Sequence, residues 1–418
     1  MVSWRGRRVN PAQRFAARDA GAYTTHVESC DVITIGGGVA GAASALAAAR
    51  AGARVLLVRR GPGATALTGG AWTTAPPAAL RDALAAAGLA LHECERAVPH
   101  PDGTLVRCQV AGASHARASA VSAADGNGRT IVCGIAGLPS FHARSLAALW
   151  AEAAGRALDG IEAATLTLPG TPAAGWSPVS LAALLDREPH RLGAELARTT
   201  GKRAASLAIL PAVLGLADHD RVLDDVGRSA GVVVAEALGA APAVPGWRLD
   251  RALLRALGDA GVRVVTGRVS PATVRERSIE RITVTGADGT HTLSARAFVL
   301  ATGKFLGGGI TAEAEFEESA LGCDVAIERF TRTIDDPAAA LMLTDPVRTE
   351  PQPVLSTGVR VDPDGRPLDA AGAVAAVNVF VAGSVRAGVE TCALGLGAAA
   401  AEGWIAGTRA AALAGNGG

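Results

Sequence analysis

Lysine is almost missing from this 418-residue chain: only Lys202 and Lys304 carry it, and arginine supplies the rest of the basic charge. That bias reads as codon composition rather than function. Aromatic residues make up 3%, with a single tyrosine, which disfavours a β-sandwich built on a packed aromatic core. Neither sign of charge dominates, since 40 Lys+Arg face 39 Asp+Glu for a net charge of +1. Without a basic surplus no nucleic-acid partner is expected. No apolar run approaches the roughly 20 residues of a membrane span, because the Ala-rich stretches are cut by Arg, Gly or Asp. This chain is therefore not expected to cross a bilayer by itself.

Six cysteines (Cys30, Cys94, Cys108, Cys133, Cys323, Cys392) are dispersed with no C-x-x-C, so no metal or iron–sulfur ligand set can be read from them. They are expected to be reduced thiols of a cytoplasmic protein. Residues 1–29 carry Arg5, Arg7, Arg8, Arg14 and Arg18 but no hydrophobic segment, so a signal peptide fails and a basic, weakly ordered extension is expected. What the chain does have is glycine, 51 residues of it, and 49% apolar residues. That composition suits an α/β enzyme of two or three domains in which backbone approaches a ligand closely.

The sharpest signal is GGGVAG at 36–41, a G-x-G-x-x-G formed by Gly36, Gly38 and Gly41. It follows an expected strand, Asp31–Ile35, and opens an expected helix that includes 42–51, with Gly52 at its end and a second strand, Arg54–Val58, beyond. In this βαβ setting the glycines serve a tight turn, close approach to a phosphate, and helix–strand packing. The amides that follow, at Val39, Ala40 and Gly41, offer donors at a helix N-terminus. A dinucleotide site usually closes its second strand with an acid that binds ribose, but here Arg59 and Arg60 stand in that place. Either the adenosine half is held differently, or a basic group meets a phosphate, or the ligand is a mononucleotide such as FMN.

Further along, Leu80–Leu91 reads as a helix. Helical patterns at Ser145–Ala157, Pro178–Leu185, His190–Thr199 and Val222–Leu238 predict a mostly helical insertion over 136–245. After helix Leu249–Ala260, short β-type runs at Val262–Val265, Ile282–Thr285, His291–Leu293 and Ala297–Leu300 predict a meander that returns to the main sheet. Two more strands end in glycine turns, at Ala301-Thr302-Gly303 and at Ala382-Gly383-Ser384, and a small-residue helix from Gly395 to Ala412 closes the chain. The layout predicts a Rossmann-like flavin-binding domain over 30–135 and 246–418, interrupted by a cap or substrate domain over 136–245.

With those elements in view, the sequence resembles the FAD-dependent oxidoreductases of the fumarate reductase type and, within them, the B subunits of anaerobic glycerol-3-phosphate dehydrogenase. The narrower resemblance rests on LAILPAVLGL (207–216), APAVPGWRLDRALLRALGDAGVRVVTGRV (241–269), VLATGKFLGGGI (299–310) and NVFVAGSV through GLGAAAAEG (378–403). It departs at RRGPGATALTGGAW (59–72), which keeps glycines but lacks the serines common there. The resemblance implies a flavin, FMN favoured over FAD, held by the glycine motif with Arg59, Arg60, Gly69, Gly70, Val269, Ala301, Thr302, Gly303, Gly383, Ser384, Leu394 and Gly395. It implies oxidation of glycerol 3-phosphate or relay of its electrons toward quinone, partner flavoprotein and iron–sulfur subunits, and a cytoplasmic place against the inner membrane face. A non-catalytic flavoprotein and a stand-alone enzyme of the fumarate reductase or ketosteroid dehydrogenase type are the alternatives.

For proton transfer, His219 and His142 are candidates because imidazole titrates near neutrality. For a substrate anion the candidate cations are Arg221, Arg332 and Arg386, with Lys304 beside the second glycine turn.

Overall fold

The computed structural model describes residues 28–122, 129–155, 160–201, 205–241, 243–272, 274–312, 316–327, 353–389 and 391–415. The N-terminal arm up to residue 27, and Arg332, lie outside them. Strand β1, Glu28–Ile35, runs into the glycine motif, and helix α1, Val39–Arg50, leaves it. Alanine, the strongest helix former, fills most of α1. The helix stops where Gly52, at φ +88°, and Ala53 donate their amides back to the carbonyls of Ala49 and Ala48. Strand β2, Val55–Arg59, is buried on both faces and pairs in parallel with β1.

These elements sit in a seven-stranded sheet ordered Arg263–Thr266, β2, β1, Gly289–Leu300, Arg281–Gly286, Arg268–Ser270. Val379–Val381 lies in parallel beside the C-terminal end of Gly289–Leu300. The two short strands expected at 291–293 and 297–300 are one strand of twelve residues. Its first half forms an antiparallel hairpin with Arg281–Gly286 across Ala287 and Asp288, and its second half is a parallel core strand beside β1. Because β2, β1, Gly289–Leu300 and Val379–Val381 all run the same way, their C-terminal tips share one edge, the place where open α/β sheets bind ligands.

A second, four-stranded parallel sheet is ordered Val233–Glu236, Leu207–Leu210, Thr130–Ile135, Ile161–Leu166. The helices expected around it are present, at Ala143–Ala153, Pro178–Leu185 and Pro189–Thr200, but the insertion is not merely helical. The helix expected over 222–238 is His219–Ala230, closed by Gly231 at φ +64°, and the remainder is strand Val233–Glu236. Thr130–Ile135 is an inner strand of the second sheet. Short strands buried on both faces show no alternation, so their periodicity does not separate them from helix. Likewise the helix expected to reach Leu91 ends at Ala86, and Leu91–Glu93 is a strand.

The scarcity of aromatics has a structural counterpart. Helix α1 packs against the last helix, Thr391–Gly415, so closely that a Cβ on Gly403 would stand 2.1 Å from the Ala40 carbonyl oxygen and one on Gly407 2.0 Å from that of Ser44. Small residues allow that approach where larger side chains would hold the helices apart. Among the described residues no helix is long and apolar enough to cross a membrane.

Candidate flavin cradle and the buried polar cluster beside it

Each glycine of the motif has a distinct neighbour. At Gly36, φ +130°, a Cβ would lie 2.1 Å from the carbonyl oxygen of Ala301, and at Gly41 it would lie 1.9 Å from that of Gly36. These two glycines lock the turn between adjacent strand tips. Gly38 has more room, its nearest neighbour being the Thr65 hydroxyl at 3.3 Å from the Cβ position. The Val39 amide donates to Thr65 Oγ1 at 2.9 Å, while the amides of Ala40 and Gly41 have no partner among the described residues. Two free amides at a helix N-terminus suit an anionic phosphate.

The other glycine turns stand alongside. Ala301 donates its amide to Ile35, and Ala382 donates to Leu300, so the three tips are tied in a row. Gly303 and Gly383 both take φ +74°, and Ser384 Oγ lies 3.7 Å from the Cβ position of Gly303. Thr302 Oγ1 is buried without a hydrogen-bond partner among the described residues. The last helix breaks at Gly395, φ +68°, which abuts Thr73, while Gly397 abuts Thr74. Leu394 lies in the turn before that break, its side chain outside the described set. Gly69 accepts a backbone hydrogen bond from Gly239, and Gly70 (φ +101°) leads into strand Ala71–Trp72 just before Thr73. Orphaned donors and a glycine-lined floor at these tips fit a flavin nucleotide. Bound there, a flavin supplies a two-electron acceptor. Val269 is placed differently, buried opposite Val284 in the apolar core under the sheet.

The charged candidates are engaged elsewhere. Arg59 is buried and its Nη2 lies 3.0 Å from Asp250 Oδ1 and 3.1 Å from Oδ2, so its charge is answered within the protein. Arg60 is exposed, with Nη1 near Gly308. Lys304 is buried and donates to the carbonyls of Leu355 and Val389. Arg386 pairs with Glu402 at 2.8 Å, and Glu402 also accepts the Gly383 amide at 3.0 Å. Arg221 is held by Asp218 and Asp225 at the surface. His142 is exposed just before helix Ala143–Ala153 in the inserted unit, and the structure does not bring it to the strand tips.

His219 is different. Helix His219–Ala230 begins with it, and it is buried in a polar cluster drawn from four segments of the chain. Glu236, fully buried, accepts from Arg248 Nη1 at 2.7 Å and Nη2 at 3.0 Å, from Ser114 Oγ at 2.8 Å and from the Leu214 amide at 2.6 Å. Burial favours its neutral form, yet the Arg248 guanidinium holds its carboxyl well below the usual carboxylate range. Arg248 Nε donates to the Gly215 carbonyl, which fixes that guanidinium in place. His219 Nδ1 faces the Leu214 carbonyl at 2.7 Å and so carries the proton. Burial, reinforced by Arg248, pushes the His219 pKa down to about 4. The ring is neutral at pH 7, and Nε2, 3.0 Å from Ser114 Oγ, is an acceptor.

His115 completes the group. Its Nδ1 donates to the Glu236 carbonyl oxygen at 3.1 Å, and burial pushes its pKa down as well. Its Nε2 is buried with no hydrogen-bond partner among the described residues. Sequence reasoning missed His115, Ser114, Glu236 and Arg248, since no local motif joins residues so far apart in the chain. Ser114, His115, His219 and Arg248 line a cleft of about 30 Å3 with Thr68, Gly70 and Trp72. The cleft therefore adjoins the segment that leads from Gly70 to the Gly395 break.

This frame, a parallel sheet whose glycine-lined strand tips meet a helix N-terminus, defines a class of dinucleotide-binding flavoprotein, and a family profile described as FAD binding domain matches residues 31–399. The chain belongs to that FAD-binding family and is a flavin-dependent oxidoreductase. In particular, it is 30% identical over 433 residues to a probable B subunit of anaerobic glycerol-3-phosphate dehydrogenase from Halobacterium salinarum strain R1, covering 91% of this chain and 97% of that one. The protein of the same name from strain NRC-1 matches equally. The resemblance read from the sequence is thereby shown over most of the chain. Looser likenesses of fold link it to two solved structures. One is a 3-ketosteroid-delta4-(5alpha)-dehydrogenase of Rhodococcus jostii, at 14% identity and TM-score 0.38 over 92% of this chain and 97% of that one. The other is an open flavocytochrome c3 fumarate reductase, at 14% and 0.38 over 93% and 79%. A family described as FAD-binding gives no support to the preference for FMN, and Arg59, paired with Asp250, is not a free cation for a phosphate.

Proposed function

We propose that this chain holds FAD at the strand tips and oxidises a small hydroxyl-bearing substrate, such as glycerol 3-phosphate, handing the electrons to partner subunits that include an iron–sulfur protein. One observation carries the reading: Gly36, Gly303 and Gly383 lie at the tips of three adjacent parallel strands, beside the free amides that open α1. The name of the Halobacterium relatives supports the substrate and the existence of partner subunits. On this reading the chain divides into a discontinuous flavin-binding unit and an inserted unit around the second sheet. It works in the cytoplasm and touches the membrane only through a partner. Heat release of the cofactor and its mass separate FAD from FMN, and reduction of an artificial electron acceptor by the isolated chain with glycerol 3-phosphate tests the oxidation. Colourless protein that takes up neither flavin would end the proposal.

A second reading has its own support. Arg59, Lys304, Arg221 and Arg386 are each engaged within the protein, so none of these four stands ready for a substrate phosphate. That favours a flavin-bearing relay protein whose partner binds the phosphorylated alcohol. A yellow protein that ignores glycerol 3-phosphate alone and accepts electrons once the partner is added would decide for it.

A further inference from the structure

The cleft beside Gly70 holds a buried acceptor, His115 Nε2, with no hydrogen-bond partner among the described residues. Ser114 has one hydroxyl proton, and two acceptors compete for it: Glu236 Oε2 at 2.8 Å and His219 Nε2 at 3.0 Å. His115 Nε2 adds a third lone pair with nothing to receive. The cation of the group, Arg248, is paired with Glu236 through Nη1 and Nη2 and donates from Nε to the Gly215 carbonyl, so its charge is already answered within the protein. A ligand carbonyl has no hydrogen to give His115 Nε2, and leaving a buried acceptor unpaired is costly. A hydroxyl group brings the missing donor. A space of about 30 Å3 admits about two water-sized groups, the size of a carbinol carbon and its oxygen. Gly70 forms one wall, and a Cβ there would come within 2.8 Å of His115 Nε2.

We propose that this cleft is a binding site for the carbinol end of a small alcohol, with the ligand hydroxyl donating its hydrogen bond to His115 Nε2. The choice of an alcohol as occupant rests on the function proposed above, whereas the unpaired Nε2 of His115 is independent of it. The site discriminates alcohol from carbonyl and leaves any phosphate of the ligand outside the cluster. His115 is a ligand-binding residue here, while Glu236 and Arg248 are positioning residues that fix the rings of His115 and His219 through Ser114 and the 214–215 backbone.

The test is a long-range proton–nitrogen NMR titration of the full chain labelled at histidine nitrogens, with propan-2-ol as the probe and acetone as its carbonyl counterpart. His115→Gln assigns the His115 signals. A saturable shift of His115 Nε2 with propan-2-ol, at least threefold larger than with acetone and with Nδ1 unmoved, is the expected result. In His115→Gln the propan-2-ol concentration that half-saturates the His219 response should rise at least tenfold while the visible spectrum of bound flavin stays the same. Equal responses to the two probes, or none, would overturn the site, and the wild-type titration decides this even if the variant does not fold. A selective shift in protein that binds no flavin would leave the cleft standing and remove the proposed oxidation, whereas a flavin-loaded protein without the shift would do the reverse.

Discussion

The flavin cradle and the polar cluster lie side by side but are made of different material. The cradle is backbone: glycines at strand tips, free amides at a helix start, and carbonyls so near that even a methyl group would collide. The cluster is side chain, four polar groups and an arginine completing one another in the interior. A backbone site depends on the absence of atoms and is damaged by adding them. A side-chain site depends on complementary partners and is damaged by removing one.

Perturbations of either region should therefore separate stability from cofactor binding, and the largest effect belongs to the cluster. Glu236→Gln leaves the buried Arg248 charge unanswered and should cost about 3–5 kcal/mol in urea unfolding, with flavin still bound by the molecules that fold. If flavin is lost in proportion, the two regions are one unit and the contrast fails. Acid should act on the same region. Histidine in an unfolded chain protonates near about 6.5, but folded His219 does so only near about 4, so the unfolded state takes up more protons between these values. Stability should fall as the pH drops through that window, by about 3 kcal/mol from His219. His115 shifts in the same direction, and Glu236, held low, adds a loss at more acid pH. Denaturation at pH 7 and pH 4.5 for wild type and His219→Gln checks this, and identical pH slopes would refute it.

On the cradle, Gly41→Ala places a methyl group against the Gly36 carbonyl and should cost about 2–3 kcal/mol. Unlike Glu236→Gln it should also weaken flavin retention, measured as the ratio of visible to ultraviolet absorbance, and undiminished flavin would mean that the cofactor is not held at this turn. The smallest effect is expected from His142→Ala. His142 is exposed and outside both regions, so the change should stay within about 0.5 kcal/mol and leave turnover unaltered. A loss of activity there would reinstate it as a catalytic candidate.

The two regions also differ in how legible they are in the chain. G-x-G-x-x-G and the two later strand-glycine turns could be read because each is a contiguous segment whose backbone geometry demands glycine. His219 drew notice only for its chemistry, and its partners come from residues 114, 214 and 236, the last of them held by Arg248. The second sheet was missed for a related reason: strands such as Leu207–Leu210 are short apolar runs that carry no period of their own.

Amino-acid order alone determined the βαβ start and the glycine turns, since these follow from what one short stretch of backbone can adopt. Tertiary structure alone decided that Arg59 answers Asp250, that Lys304 is fastened to carbonyls, and that His115 keeps an acceptor nitrogen without a donor beside Gly70. The strength and availability of a charge or a lone pair depend on which distant groups reach it first, and only the folded chain settles that.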